Sequence, residues 1–318
     1  MPLIAADRTA AFAADWARLR PGEGPVGLAV SGGPDSLALL LMMHAAVGAG
    51  GFAVATVDHG LRVESAAEAA HVAALCGARG IAHATLPIGL APGSAVQERA
   101  RDARYRALEG WCREQGLTAL VTAHHADDQA ETMIMRMNRG AGLRGLAGMR
   151  ARSVVPGGDL PLLRPLLGWR RESLVALVAG AGIGAVDDPS NRDRRFERVR
   201  MREGLAGASW LDPAGLAAAS GHLAEADAAL DWMANRVLPD GVAIDGVIAF
   251  DPDLPRALAL RVLERVLVRL GGGVPRGRDL ASWHDRLAGG EVATLAGVRG
   301  DGRARPWRFS PAPPHRGR

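Results

Sequence analysis

The 318-residue chain contains no lysine, so all 38 of its basic residues are arginine. This absence excludes a phosphate-binding loop of the Walker type, G-x-x-x-x-G-K-[ST], because that loop requires a lysine. The formal net charge is only +4, yet the isoelectric point is about 10.2, since arginine stays charged at any relevant pH. A GC-rich coding bias explains the total number of arginines, so the places where they cluster are more informative.

Cysteine and long apolar runs are also scarce. The two cysteines, Cys76 and Cys112, are too few for a disulfide scaffold and do not form a C-x-x-C pair. No apolar run reaches the roughly 18 residues that span a membrane. The first twenty residues mix Asp and Arg into an apolar stretch, which argues against a signal peptide. These absences favour a cytoplasmic protein that makes no contact with the membrane.

The first half of the chain alternates strand-like and helix-like patterns. Short apolar runs at residues 25–31, 52–60, 81–87 and 117–125 predict strands, and amphipathic or apolar helical patterns separate them. This rhythm predicts an α/β fold with a doubly wound, mostly parallel sheet covered on both faces. From about Trp210 the sequence becomes rich in alanine and helical in pattern. We therefore predict a catalytic domain at residues 1–207, a smaller, largely helical domain at 208–310 and a disordered tail at 311–318.

A glycine-rich segment, SGGPDS at residues 31–36, joins the first predicted strand to the first long apolar helix. In open α/β sheets, ligands bind beyond the carboxyl ends of the strands. Gly32 and Gly33 allow the backbone to approach a ligand closely, and the N–H groups that begin the helix attract an anion. The segment is therefore predicted to bind phosphate.

The same segment resembles the PP-loop of N-type ATP pyrophosphatases, which cleave ATP between its α and β phosphates. Further motifs follow in a fixed order: VDHGLR (57–62), QERARDARYRAL (97–108), TAHHADDQAETMIMRMNRGAGLRGL (122–146), RPLL (164–167) and DDPSN (187–191). Together, over about residues 25–205, they resemble the tRNA(Ile)-lysidine synthetases. One departure is Val199, where that family usually has Asn in an Arg-Asn-x-x-Arg pattern.

The resemblance implies a reaction and its partners. The enzyme would use ATP to adenylate the wobble cytidine of tRNA(Ile) with a CAU anticodon. Free L-lysine would then be joined to C2 of that base, with release of AMP and pyrophosphate. The second domain would associate with tRNA. ATP is the expected co-substrate and Mg²⁺ the expected metal ion.

The resemblance assigns ATP binding to the whole loop, Ser31, Gly32, Gly33, Pro34, Asp35 and Ser36. A carboxylate beside phosphates is repulsive unless a cation lies between them, and Mg²⁺ prefers one or two carboxylates together with phosphate oxygens. Asp35 is therefore predicted to be catalytic and to bind Mg²⁺. The alternative is that Asp35 only caps its helix.

The motif HHADDQAET places His125, Asp128 and Glu131 where a strand ends and a helix begins. Acids at i and i+3 share a helix face. We predict that Asp128 and Glu131 serve Mg²⁺ or the lysine ammonium, that one of them takes the lysine proton, and that His125 positions ATP or cytidine. Asp128 is the second predicted Mg²⁺ ligand. A zinc site lacks a converging ligand set, and a solvated first helical turn is the plainer alternative.

Two groups of arginines complete the predicted site. Arg101 and Arg104 lie on one face of a long helix and are predicted to reach ATP phosphate or the anticodon stem-loop. Between residues 191 and 202, six arginines face two acids, which favours contact with tRNA phosphates. The predicted contacts are Arg192, Arg194, Arg195, Arg198 and Arg202. In both groups the alternative is a solvated helix face.

Two rival functions stay open at this point. Another PP-loop enzyme, a tRNA thiolase, would generally need a cysteine to carry sulfur or a cluster, and Cys76 and Cys112 lie inside predicted helices. A catalytically inactive RNA-binding module would not need the intact SGGPDS and HHADDQAET motifs.

Overall fold

A computed structural model describes residues 5–20, 22–58, 60, 64–89, 96–186, 193–238, 246–273, 275 and 277–313. The chain forms two compact units, Met1–Leu223 and Ala224–Arg318. This division falls inside one long helix, whereas the boundary near residue 207 is drawn from composition alone and stays a prediction. Residues 314–318 of the predicted disordered tail lie outside the described residues.

The first unit is built on a six-stranded sheet. Its strands are β1 (Val26–Ala29), β2 (Phe52–Asp58), β3 (His83–Pro87), β4 (Leu120–Val121), β5 (Arg152–Val154) and β6 (Pro161–Leu163). They lie in the order β3-β2-β1-β4-β6-β5, and all neighbours are parallel except β5 and β6. The predicted doubly wound, mostly parallel sheet is confirmed. The strand order reverses beside β1, so the ligand-binding switch point of such sheets lies where β1 ends.

Helices join these strands and complete the first unit. They are α1 (Ala6–Leu19), α2 (Pro34–Val47), α3 (Glu64–Gly77), α4 (Val96–Glu114), α5 (Ala126–Asn138), α6 (Leu143–Leu146), α7 (Arg171–Gly180), α8 (Glu197–Gly207) and α9 (Pro213–Val237), which continues into the second unit, with a 3-10 turn at Ala49–Gly51. Helix α2 is apolar all round and buried, with Leu37 and Met43 fully enclosed, because α1 and α7 pack against it. It therefore forms the centre of the main core.

A second apolar cluster lies between the sheet and α4. Its large members include Tyr105, Leu108 and Trp111, all buried. Helix α4 approaches β1 so closely that a Cβ added to Gly27 would lie 2.6 Å from both the Cys112 sulfur and the Trp111 ring. Glycine at this point of β1 therefore sets the distance between sheet and helix.

The second unit combines helices with a small sheet. Helices α10 (Arg256–Arg269) and α11 (Gly277–Ala288) stand beside β7 (Ile248–Phe250), β8 (Val292–Leu295), β9 (Val298–Asp301) and β10 (Trp307–Pro311). The strands are antiparallel in the order β7-β10-β9-β8. The helices agree with the prediction, but the sheet was not predicted. Its core contains stacked Phe250 and Phe309 rings, with centroids 5.5 Å apart.

The close approach of α4 to β1 generates a stability prediction. Gly27→Ala should lower the free energy of unfolding by about 1–3 kcal/mol, because an extra methyl group overpacks this contact. Gly110→Ala on α4 is the matched control, since its added Cβ would meet open space. The control should be neutral or stabilising by about 1 kcal/mol through helix propensity. Urea titration followed by circular dichroism measures both, and equal midpoints for the two variants would contradict the packing argument.

Candidate active site

The glycine-rich loop after β1 is closed on itself. Gly32 has a φ of +86°, and a Cβ there would lie 3.0 Å from a methyl group of Val186. The backbone N–H of Val186 donates to the carbonyl of Gly32 at 2.9 Å. The Ser36 hydroxyl donates to the carbonyl of Gly33 at 2.9 Å and accepts from the N–H of Ser31 at 3.2 Å. The loop is therefore fixed in shape before any ligand binds.

Asp35 lies in the first turn of α2, directly after this loop. One carboxylate oxygen, Oδ2, lies 3.6 Å from His125 Nε2 and 3.5 Å from Arg171 Nε. The other oxygen, Oδ1, is buried and makes no hydrogen bond with any described residue. An unpartnered buried carboxylate oxygen is costly, so this atom marks a position that suits a cation or a donor from a ligand.

His125 joins the loop to helix α5. Its side chain is 2% exposed and caps α5: Nδ1 accepts from the N–H of Asp128 at 3.3 Å, and the Asp128 carboxylate accepts from the N–H of His125 at 3.1 Å. The proton of the neutral ring is therefore on Nε2, which faces Asp35 and, at 3.5 Å, Asp128. Burial lowers the pKa of His125, but the carboxylates of Asp35, Asp128 and Asp127 outweigh it, and the net shift is upward.

Glu131 lies one turn further along α5 and is 1% exposed. Its two oxygens each accept from an arginine of α8, Oε2 from Arg198 Nε at 2.7 Å and Oε1 from Arg202 Nε at 2.8 Å. Arg198 also lies 3.5 Å from Asp128 Oδ1. The two arginines therefore point inward and hold α8 against the acidic face of α5. Val199 between them is buried.

The remaining predicted residues lie around this centre. Arg194 and Arg195 are exposed and pair with Glu203 and Asp193, whereas Arg192 lies outside the described residues. The guanidinium groups of Arg101 and Arg104 lie 5.1 and 5.4 Å from the centre of the buried Tyr105 ring.

His124, next to the capping histidine, stays neutral. Burial lowers its pKa strongly; Asp128 opposes this, and the positive charges of Arg164, Arg198 and Arg104 lower it further. Arg104 is therefore close enough to His124 to act on its charge, as Arg198 does. The structure thus brings the loop, the HHADDQAET motif and three of the predicted arginines into one region.

Sequence reasoning missed the segment that closes the site from the other side, residues 169–171. Arg170 pairs with Asp127 at 3.3 Å, and the N–H of Arg171 donates to the same carboxylate at 2.8 Å. Burial raises the pKa of Asp127, but these donors outweigh it and the pKa is lowered. The carbonyl of Trp169 accepts from the N–H of Ala126 at 2.9 Å. The only sequence signal was a pair of arginines shortly after the RPLL motif.

Trp169 is fixed in turn by helix α1. Its indole N–H donates to Asp15 Oδ2 at 3.0 Å, and its ring meets Phe12 edge to face, with centroids 6.5 Å apart. Helix α1 therefore holds the segment that carries Arg170 and Arg171 to the two carboxylates.

The described part of the chain also bears on metal, thiol and membrane roles. There, no group of three or more His, Cys, Asp or Glu side chains has the arrangement of a metal site made by protein alone. Both cysteines are fully buried; burial raises the pKa of Cys76 to about 11 and that of Cys112 to about 12. Their thiols are therefore poor nucleophiles. No helix among the described residues meets the length and apolarity that a membrane span requires.

Known proteins match this chain over most of its length. The family model of the PP-loop domain matches residues 5–208. A tRNA(Ile)-lysidine synthase from Novosphingobium aromaticivorans is 63% identical over 96% of this chain and 94% of its own length. One from Zymomonas mobilis is 40% identical over 93% of this chain and 91% of its own.

Among solved structures, a U34-tRNA thiolase, NcsA, from Methanococcus maripaludis is similar with a TM-score of 0.56. The likeness covers 69% of this chain and 78% of that one at 15% identity. At this identity it shows the fold alone.

The support of the site by α1 is testable. Trp169→Phe keeps a ring against Phe12 but removes the N–H that binds Asp15, a loss of about 1 kcal/mol. Because Arg171 loses its fixed approach to Asp35, ATP affinity should fall about fivefold in isothermal titration calorimetry. Trp232→Phe, at an exposed tryptophan of α9, is the control and should bind as the unaltered protein does. Equal affinities for the two variants would refute the support role.

Proposed function

The chain belongs to the tRNA(Ile)-lysidine synthase family, and on that premise we propose that it joins free L-lysine to C2 of the wobble cytidine in a CAU anticodon. Family membership makes it a ligase that uses ATP to form lysidine in tRNA(Ile). The finer steps proposed are adenylation of the cytidine, release of pyrophosphate, and displacement of AMP by lysine. We place the reaction in the cytoplasm, where tRNA and free lysine meet.

The proposal rests on one observation: the carboxylates of Asp35 and Asp128 both lie close to Nε2 of His125, at 3.6 and 3.5 Å. The loop at residues 31–36 supplies the phosphate site, and the buried Oδ1 of Asp35 lacks a partner among described residues. Two carboxylates beside a phosphate site suit Mg²⁺, which needs only one or two protein carboxylates when substrate phosphates complete its shell. Asp35 and Asp128 would hold the ion, which would neutralise charge on the ATP phosphates.

The acidic face of α5 supports the lysine half of the reaction. The lysine side chain has a pKa of about 10.4 in water, so about one molecule in 2,500 is a neutral amine at pH 7. Reaching that form costs about 4.6 kcal/mol. Carboxylates first attract the ammonium, and one of them takes a proton as nitrogen attacks C2 and AMP leaves. Asp128 and Glu131 are the candidates for this proton: Asp128 would also hold the cation, and both oxygens of Glu131 already accept from arginines.

The exposed arginines before α8 support tRNA binding. Arg194 and Arg195 project into solvent, and each has one acidic partner, Glu203 or Asp193. We propose that Arg194, Arg195 and Arg192 contact tRNA phosphates, while Arg198 and Arg202 act at the catalytic acids. Arg101 and Arg104 are proposed to reach phosphate from α4. The rival thiolase function is not favoured, since both thiols are buried with raised pKa values.

Asp35→Asn tests the ATP half of the reaction. The variant should lose tRNA-dependent conversion of ATP to AMP and pyrophosphate, because the amide cannot hold the cation beside the phosphates. Asp7→Asn, at an exposed acid in the first turn of α1, is a matched control and should keep full activity. Thin-layer chromatography of labelled ATP measures both. Formation of ADP and phosphate by the unaltered enzyme would overturn the proposal.

Glu131→Gln tests the division of labour on α5. We expect lysine transfer to fall much more than adenylation, so a single turnover without lysine should still release pyrophosphate. If Glu131 takes the proton, transfer should partly recover as pH rises toward 9, because more lysine is then neutral. If Glu131 only holds Arg198 and Arg202, the loss should persist at high pH. Parallel loss of pyrophosphate release would instead assign Glu131 to the ATP site.

A further inference from the structure

Trp210 is the feature of the first unit that the catalytic site does not use. Its side chain is 81% exposed, whereas tryptophan is normally among the most buried residues on average. A single exposed aromatic is not informative by itself. Its position is informative, because the chain on both sides of Trp210 is tied to the catalytic acids.

The chain before Trp210 is α8. This helix is held against α5 by Arg198 and Arg202, which both bind Glu131. The ion pair of Arg194 with Glu203, at 3.0 Å, brings the arginine-rich segment back along α8. That segment therefore reaches the half of the helix from which Trp210 follows.

The chain after Trp210 is the start of α9. The Asp212 carboxylate caps this helix, accepting from the N–H groups of Ala214 at 2.9 Å and Gly215 at 3.0 Å. The same carboxylate lies 3.8 Å from Arg170, and Arg170 binds Asp127. The N–H of Leu211 donates to the carbonyl of Ala208 at 2.9 Å, which closes a turn around Trp210. The turn that carries Trp210 is thus anchored on both sides to residues that contact the acidic site.

On the proposed tRNA function, we infer that Trp210 is a stacking platform for one unpaired base of the anticodon loop. A base placed for chemistry in the site must leave the loop stack, and its neighbours then expose their faces. An indole offers a flat apolar surface for such a face. Arg194 and Arg195 are exposed on the segment before α8 and offer charge to the phosphates of the same strand. An exposed aromatic ring with basic side chains on the same segment is typical of single-stranded nucleic-acid binding.

The test compares binding of an unmodified tRNA(Ile) anticodon stem-loop by Trp210→Ala, Trp210→Phe and the unaltered protein. Loss of one base stack is worth about 1–3 kcal/mol, so Trp210→Ala should bind about 5- to 150-fold more weakly. Trp210→Phe should recover part of the loss. Val154→Ala shortens another exposed apolar side chain of the first unit, 56% exposed, and should bind normally. ATP binding without RNA should be equal in all four proteins, which checks the fold.

Salt dependence separates stacking from charge. Trp210→Ala should keep the slope of log affinity against log salt, whereas the double variant Arg194→Ala, Arg195→Ala should flatten it by about one to two. Stem-loops with one abasic position then identify the stacked base. Loss of that base should lower the affinity of the unaltered protein for the stem-loop. It should not change the affinity of Trp210→Ala.

Three results would overturn the inference. Normal RNA affinity of Trp210→Ala, with lysidine formation by the unaltered enzyme intact, would reject the platform and leave the proposed function standing. A changed oligomeric state of Trp210→Ala in gel filtration, with RNA affinity unchanged, would assign the residue to contact between copies. Failure of the unaltered enzyme to bind or modify the tRNA would reject the proposed function, and the platform with it.

Discussion

Repulsion between like charges at the start of α5 is the constraint on which the site depends. Asp127, Asp128 and Glu131 lie within five residues, and Asp35 approaches them from α2. Carboxylates at this spacing cannot all remain charged in a partly buried place without compensating cations. The macrodipole of α5 stabilises negative charge only in the first turn of the helix.

The acids are compensated by arginines from two other parts of the chain, the segment at residues 169–171 and helix α8. Arg171 reaches Asp35, Arg170 reaches Asp127, and two arginines of α8 reach Glu131. His125 lies between Asp35 and Asp128 and keeps a raised pKa for that reason. The acids therefore determine where α8 and the segment at residues 169–171 dock. The acidic face of α5 is thus assembled by cations that the protein itself provides.

The sequence predicted the parts of this arrangement that local pattern controls. The sheet followed from alternating strand and helix patterns, and the loop followed from Gly32 and Gly33 at a strand end. The pairing of Arg198 with Glu131 joins residues 67 positions apart, and no local pattern distinguishes an arginine that turns inward from one that is solvated. The small sheet of the second unit was missed because strands of three to five residues, such as Ile248–Phe250, lie among glycines and arginines typical of loops.

Val199 stands where the family pattern usually has Asn, and the structure shows how valine fits there. Residues 198 and 202 lie on the face of α8 that meets the acids, and the side chain between them is buried. An apolar side chain fits there without an unpaired polar group, so Val199 supports the docking of α8 by packing. The assignment of the neighbouring arginines does not depend on an amide at that position.

Helix α1 affects the position of the acidic residues indirectly, through its contacts with the indole of Trp169. Asp15 and Phe12 fix Trp169, and Trp169 carries the two arginines that meet Asp127 and Asp35. A shortened form of the first unit therefore has to keep these contacts. A fragment cut to begin at β1 would retain the whole sheet and every acidic residue of the site. It would lack Phe12 and Asp15, which fix Trp169, so a fragment that keeps Arg170 and Arg171 in place has to include α1.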